Sequence, residues 1–414
     1  MDLAKEISPV SRRSFMRMAS VAAASMPILT EAHFALAAQQ TAPKAGSQAA
    51  AAQTGATTRR ARTAMPPGAV LINANENPLG PCKAACEAIG YIAPKGGRYD
   101  IDGETDKLTK TLSAQLGVPE DHISIYAGSS EPLHYTVLAF TSPSRGLVVP
   151  DPTFEAAERG AKVTGAKVSK IPLTAAYAHD VKALVAADPN AGLIYLCNPN
   201  NPTGTLTPRE DMLFALENKP KGSILLVDEA YIHLSDAPTV IDQVAAGKDL
   251  IVIRTFSKIY GMAGIRCGYA VGRPDLLAKL QPFGQNAMPI TGSIAANVSL
   301  LDPQLIPTRK KIIGDIRTET IAWLQQNNYK VLPGSQSNCF MIDTGRNGRQ
   351  FMKDMQAKNI YIGRTWPIWP NTVRITVGTA DEMAKFRAAF KETMDAGPTT
   401  ASLHTSIIEP AYLS

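Results

Sequence analysis

Lys258 closes an apolar, β-rich run and opens onto small residues, in Arg254-Thr255-Phe256-Ser257-Lys258-Ile259-Tyr260-Gly261-Met262-Ala263-Gly264-Ile265-Arg266. An ammonium at the end of a buried strand is costly unless paired or deprotonated, and a lysine that sheds its proton near neutrality can form a Schiff base. Taken singly, a lysine at a strand end is more often a solvated surface residue, but its neighbours change the reading. An apolar run at 223–227 ends in Asp228-Glu229-Ala230-Tyr231, which puts a carboxylate at a strand's carboxyl end and a phenol three residues on. The run at 193–197 leads into Asn198-Pro199-Asn200-Asn201-Pro202-Thr203-Gly204, a turn too rich in Asn, Pro and Gly to be helix or strand. Three successive strand ends thus bring an amide, an acid with a phenol, and a lysine to one rim, where open α/β sheets bind their ligands.

That set suits a phosphorylated pyridine aldehyde. A buried carboxylate such as Asp228 keeps a pyridine nitrogen protonated, so that the ring can act as an electron sink. Asn201 and Tyr231 can donate to a ring oxygen. The short strand at 123–126 runs into Ala127-Gly128-Ser129-Ser130-Glu131 and then an apolar helical run, a helix start whose N–H groups suit a phosphate, with Gly128 permitting close approach. The cofactor indicated is pyridoxal 5'-phosphate.

These residues carry a resemblance to fold-type I pyridoxal phosphate-dependent aminotransferases, within which the chain looks most like the histidinol-phosphate aminotransferases. It runs from Leu71-Ile72-Asn73-Ala74-Asn75-Glu76-Asn77-Pro78 to Val373-Arg374-Ile375-Thr376-Val377-Gly378-Thr379, with the Asn-Pro-Asn-Asn-Pro-Thr-Gly, Asp-Glu-Ala-Tyr and Ser-Lys-x-x-Gly-x-x-Gly-x-Arg-Cys-Gly segments in order. The resemblance implies that Lys258 is the Schiff-base lysine and proton shuttle, and that Asp228 faces the pyridine nitrogen. It gives Asn201 and Tyr231 to the ring oxygen, and Phe154 to the ring face. Gly128, Ser129, Ser130, Thr255, Ser257 and Arg266 go to the phosphate. Tyr99 would reach the cofactor of a neighbouring subunit, so the active site would need a homodimer. Arg374 would grip the substrate carboxylate with a two-point fork, and Arg364 and Asn75 would complete the substrate site. Singly, each reads more plainly: Arg374 as a surface charge, Phe154 and Tyr231 as core aromatics, Ser129 and Ser130 as a helix cap.

The implied reaction is transfer of an amino group from an amino acid or histidinol-phosphate-like donor to a 2-oxo acid, 2-oxoglutarate being expected, by ping-pong exchange through Lys258. Alternatives are other chemistry of the same cofactor, such as β-elimination or decarboxylation, or a non-catalytic periplasmic protein that binds it. Two departures from the family's pattern stand out. Ser129-Ser130-Glu131 replaces a small residue followed by an acid, and Arg364 is followed by Thr365-Trp366-Pro367-Ile368-Trp369-Pro370, far more aromatic than expected. Trp366 and Trp369 form either an aromatic wall that suits aromatic donors or a packed hairpin with no substrate contact.

Ser11-Arg12-Arg13-Ser14-Phe15-Met16-Arg17 resembles a twin-arginine export signal, followed by an interrupted apolar stretch and the small-x-small pattern Ala35-Leu36-Ala37. Export to the periplasm is expected, with residues 1–37 as signal peptide and no stable membrane span. Residues 38–66, rich in Ala, Gln, Thr, Gly and Ser, read as a disordered linker. Leader and linker carry net charges of +1 and +4 of the chain's +6, which leaves a nearly neutral body and no case for nucleic acid.

About 350 residues remain, enough for a large domain and a smaller one. Apolar runs at 123–126, 146–149, 193–197, 223–227, 250–256 and 267–271 alternate with helical segments such as 130–140 and 154–164. This predicts an α/β fold with a mainly parallel sheet flanked by helices, seven-stranded in the family that the chain resembles. Beyond 294, two long helical stretches flank runs at 329–332, 339–342 and 374–377, which predicts a smaller α+β domain. The expected organisation is a segment at 67–95 packing with the small domain, a large domain at 96–293, the small domain at 294–396, and a tail at 397–414. Five cysteines without zinc-like spacing and six scattered histidines give no metal site.

Overall fold

The computed structural model describes residues 65–284 and 287–397, so the leader, all but the last two residues of the linker and the tail past 397 lie outside the described residues. After a short strand β1 (Val70–Ile72), the chain forms β2 (Ile123–Tyr126), β3 (Gly146–Asp151), β4 (Val168–Pro172), β5 (Ala191–Cys197), β6 (Ile224–Asp228), β7 (Leu250–Thr255) and β8 (Gly268–Gly272). The last seven make one sheet in the order β2-β8-β7-β6-β5-β3-β4, with only β8 antiparallel to its neighbours. Every residue of β5, β6, β7 and β8 is buried. That is the signature of central strands covered by helices on both faces, and it explains their continuous rather than alternating apolar runs.

β4 carries no apolar run that would mark it in the sequence. It is an edge strand of Val-Ser-Lys-Ile-Pro, none of it fully buried, so its apolar pattern is weak. The helix expected at 154–164 begins only at Ala156, because residues 154 and 155 belong to the turn that follows β3.

Register brings the site together. Cys197 of β5 lies opposite Asp228 of β6, and Asp228 opposite Ile253 of β7, so the carboxyl ends of three parallel strands share one rim. Beneath the rim, Arg254 donates from Nε and Nη2 to Glu229 Oε2 at 2.8 and 2.6 Å, and Glu229 also accepts from Thr239 Oγ1 and Val240 N. The burial of this pair is tolerable because its lone pairs and donors are matched, and removal of one partner would strand the other's charge.

Past the helix Ile290–Leu300, a three-stranded antiparallel sheet forms from β9 (Lys330–Val331), β10 (Cys339–Asp343) and, after the short strand β11 (Ile360–Ile362), β12 (Thr372–Thr376). Helices Leu305–Gln326, Gly348–Ala357 and Ala380–Asp395 accompany it. The last opens with a capping box between Thr379 and Glu382. β11 pairs in parallel with β1, Val70 opposite Ile360, which draws the residues just after β1 to the side of β12. Among the described residues no helix is long and apolar enough to cross a membrane.

Candidate active site

A cavity of about 310 Å³ opens at the rim, lined by residues from β5, β6 and β7, from the loop after β1, and from β12. Lys258 directly follows a turn in which Ser257 N donates to Thr255 Oγ1 and Thr255 Oγ1 donates to Ser257 Oγ. Its Nζ lies 5.4 Å from the centre of the Tyr231 ring. Burial, and secondly the nearby Arg374 guanidinium, lower its pKa from 10.5 to about 8. At pH 7 roughly a tenth of the lysine is then the neutral, nucleophilic amine.

Asp228 accepts from Tyr195 Oη at 3.0 Å and from Ala230 N at 3.0 Å, and burial raises its pKa from 3.8 to about 6. Among the described residues no ion pair within contact distance neutralises it. A buried acid that lines a cavity and lacks such a cation fits a protonated pyridine nitrogen, which would favour its ionised form.

At the other end of the rim, Ser129 caps the helix Ser130–Phe140 without a side-chain capping bond, and both serines line the cavity. Arg266, itself in the left-handed region at φ +66°, donates to the carbonyls of Ala263 and Ala127 and so lies across the loop. Gly128, at φ +97°, does not line the cavity but makes room for that guanidinium: a β-carbon there would fall 2.2 Å from Arg266 Nη2. Glu131, the acid at the shifted position, bonds back to Ala127 N. Helix-start amides, two hydroxyls and a guanidinium form a donor set that fits a phosphate.

Phe154, Asn201, Tyr231, Thr255, Ser257, Asn75 and Arg374 also line the cavity. Arg374, buried in β12, donates from Nη1 to Asn201 Oδ1 at 2.8 Å and from Nη2 to the Asn73 carbonyl at 2.7 Å, while its Nε has no hydrogen-bond partner. Asn75 donates from Nδ2 to Tyr231 Oη at 3.0 Å and to Cys339 Sγ at 3.3 Å. Burial pushes the Tyr231 phenol well above its ordinary pKa, so it stays a donor.

Besides Gly128, two expected residues lie apart from the cavity wall in this chain. Tyr99 is 83% exposed. Arg364 pairs with the Glu155 carboxylate and stacks on Trp366. Of the two readings of the tryptophans, the geometry gives the hairpin. Trp366 and Trp369 bridge each other, Trp366 Nε1 donates to the Thr153 carbonyl, and Trp369 meets Tyr177 edge-on at 5.6 Å. Neither indole lines the cavity.

Four further residues belong to the site: Cys197 and Glu76 line the cavity, Tyr195 donates to Asp228, and Cys339 Sγ accepts from Asn75. Tyr195 left one signal: a tyrosine inside a continuous apolar strand needs a partner for its hydroxyl, and the acid at the end of the next strand is the nearest candidate. The five cysteines are all free, and among the described residues no cluster could hold a metal.

Comparison with known proteins agrees with this geometry. Residues 68–390 match the family described as Aminotransferase class I and II. A histidinol-phosphate aminotransferase of Symbiobacterium thermophilum is 32% identical over 337 residues, 79% of this chain and 91% of that protein. An aromatic amino acid aminotransferase of Cutibacterium acnes is 28% identical over 75% of this chain and 88% of its own length. Among solved structures, the histidinol-phosphate aminotransferase of Sinorhizobium meliloti in complex with pyridoxal-5'-phosphate superposes with a TM-score of 0.72 at 27% identity, covering 79% of this chain and 91% of that one. The chain belongs to the class I and II aminotransferases, as a pyridoxal phosphate-dependent transaminase similar to histidinol-phosphate aminotransferase.

Proposed function

We propose that the protein moves an amino group from an amino acid or histidinol-phosphate-like donor to a 2-oxo acid, with 2-oxoglutarate as acceptor, in two half-reactions at one site. The observation that carries this is the convergence of Lys258, Asp228 and Arg374 on one cavity. Pyridoxal phosphate bound there supplies an aldehyde that accepts the amino group and a ring that delocalises the electrons left when the α-proton departs. Lys258 holds the cofactor covalently between turnovers and moves the proton at the donor's α-carbon, a task suited to an amine with a pKa of about 8. Asp228 keeps a proton on the ring nitrogen, and Tyr195 and the Ala230 amide keep Asp228 oriented. Asn201 and Tyr231 donate to the ring oxygen, Phe154 covers a ring face, and Ser129, Ser130, Thr255, Ser257 and Arg266 hold the phosphate, with Gly128 making room for the Arg266 guanidinium. Arg374 and Asn75 bind the donor, and Arg364 reads a second anion.

A homodimer completes this reading: the exposed Tyr99 ring suits a contact with the neighbouring subunit's cofactor. The export reading extends it to delivery through the twin-arginine route, tested by fractionation of wild type against an Arg12→Lys/Arg13→Lys variant. The function itself is tested with purified holoenzyme. A donor added without acceptor should change the cofactor's visible band stoichiometrically, 2-oxoglutarate should restore it, and double-reciprocal plots should be parallel. Release of pyruvate and ammonia would indicate elimination instead.

A further inference from the structure

Arg364 and Arg374 stand on one indole. The guanidinium carbon of Arg364 lies 4.8 Å from the centre of the Trp366 ring, that of Arg374 lies 5.6 Å from it, and Arg374 N donates to the Arg364 carbonyl. The two guanidiniums meet acceptors of different charge. Arg374 donates to two neutral oxygens, those of Asn201 and Asn73, whereas Arg364 is paired with the Glu155 carboxylate. Glu155 directly follows Phe154, which lines the cavity, and Arg364 shares the Trp366 ring with Arg374, so this ion pair lies beside the donor end of the site.

A donor with a single carboxylate and an uncharged side chain needs Arg374 alone. A donor with a second anion must either displace Glu155 from Arg364 or lie beside a carboxylate of its own sign. The first exchanges one charge-assisted contact for another with little net gain, and the second is repulsive. We propose that Glu155 is a specificity-determining residue that competes for Arg364, so that a second carboxylate or a phosphate, on the donor or on the acceptor, is held more weakly than an unpaired Arg364 would hold it. This rests on the donor-site reading of Arg374 given above.

The test is calorimetric titration of holoenzyme with non-reacting ligands. 3-Phenylpropionate carries one carboxylate, succinate a second carboxylate, and 3-phosphonopropionate a phosphonate in its place. In Glu155→Gln, the ratio of the succinate or 3-phosphonopropionate Kd to the 3-phenylpropionate Kd should fall about tenfold relative to wild type. A fall for one dianion alone supports the proposal and identifies which anion Arg364 reads. The fall should vanish in the Glu155→Gln/Arg364→Gln double variant. Ratios within about twofold of wild type for both dianions, a gain that survives loss of Arg364, or no measurable binding of any ligand overturns the proposal. The titration needs no turnover, so a wild-type holoenzyme that accepts an amino group from no donor would defeat the transaminase function while the binding ratios still judge Glu155.

Discussion

At the cofactor end of the cavity the central groups hang from the carboxyl ends of parallel strands or from the turns that follow, with Asn201 after β5, Asp228 closing β6, and Lys258 just past β7. At the donor end, Asn75, Glu155, and Trp366 with Arg374 come from three separate parts of the chain, held by a guanidinium–indole stack, an ion pair and bonds such as Arg374 to Asn201. The first arrangement is fixed by the parallel sheet and tolerates little variation. The second depends on side chains meeting across long stretches of sequence, so it can be retuned without disturbance of the cofactor's seat. Chemistry and specificity are thereby assigned to structurally different ends of one cavity.

The contrast breaks down most visibly if Lys258 proves dispensable. Lys258→Ala should lower amino transfer by about 10^4-fold, the upper range for a lost proton shuttle, and borohydride reduction followed by peptide mapping should then label nothing. Residual turnover within tenfold of wild type would move the chemistry elsewhere.

A second probe is pH, read on cofactor-free protein by urea denaturation. With the Lys258 pKa lowered to about 8, the unfolded chain binds a proton there that the folded chain lacks between pH 8 and 10.5, so stability should rise with pH across that window. The contribution is roughly 3 kcal/mol and should be missing from the difference curve of Lys258→Met. Asp228 acts oppositely. Its raised pKa lets the folded state keep a proton between about pH 4 and 6, so its contribution is present at low pH and lost as pH rises through that range.

At the donor end, Arg374→Lys keeps the charge but loses the planar fork, and kcat/KM for carboxylate donors should fall by about 50-fold, mainly through KM. Cofactor affinity should hold within a few-fold. An equal loss of cofactor would show that the two ends are not separable. The smallest effect is expected from Tyr195→Phe, which removes one neutral donor from Asp228. A cost of about 1 kcal/mol, or roughly fivefold in kcat, should be accompanied by an upward shift in the acid limb of the pH–rate profile.

The same division governs what the sequence discloses. Strand ends that carry Asp228, Lys258 and the Asn-Pro turn are readable because apolar runs mark the strands and register is regular, so residue type and position together imply a shared rim. Arg364 was expected to face substrate, and its pairing with Glu155 was invisible because nothing local links positions 155 and 364. Trp366 and Trp369 left two readings open for the same reason: an indole's surroundings depend on which distant segment packs on it. β4 escaped because an edge strand with Ser169 and Lys170 carries little apolar periodicity.

Asn75 lends its backbone N–H to Thr376 Oγ1 and receives that hydroxyl's proton on its own Oδ1, across 301 positions of chain. A ribosome releases those two residues at very different times. Assembly of the donor end must therefore wait until translation has passed the β12 strand, however early the catalytic lysine emerges. Premature termination upstream of Thr376 would yield a polypeptide that carries the reactive amine but lacks the clasp around it.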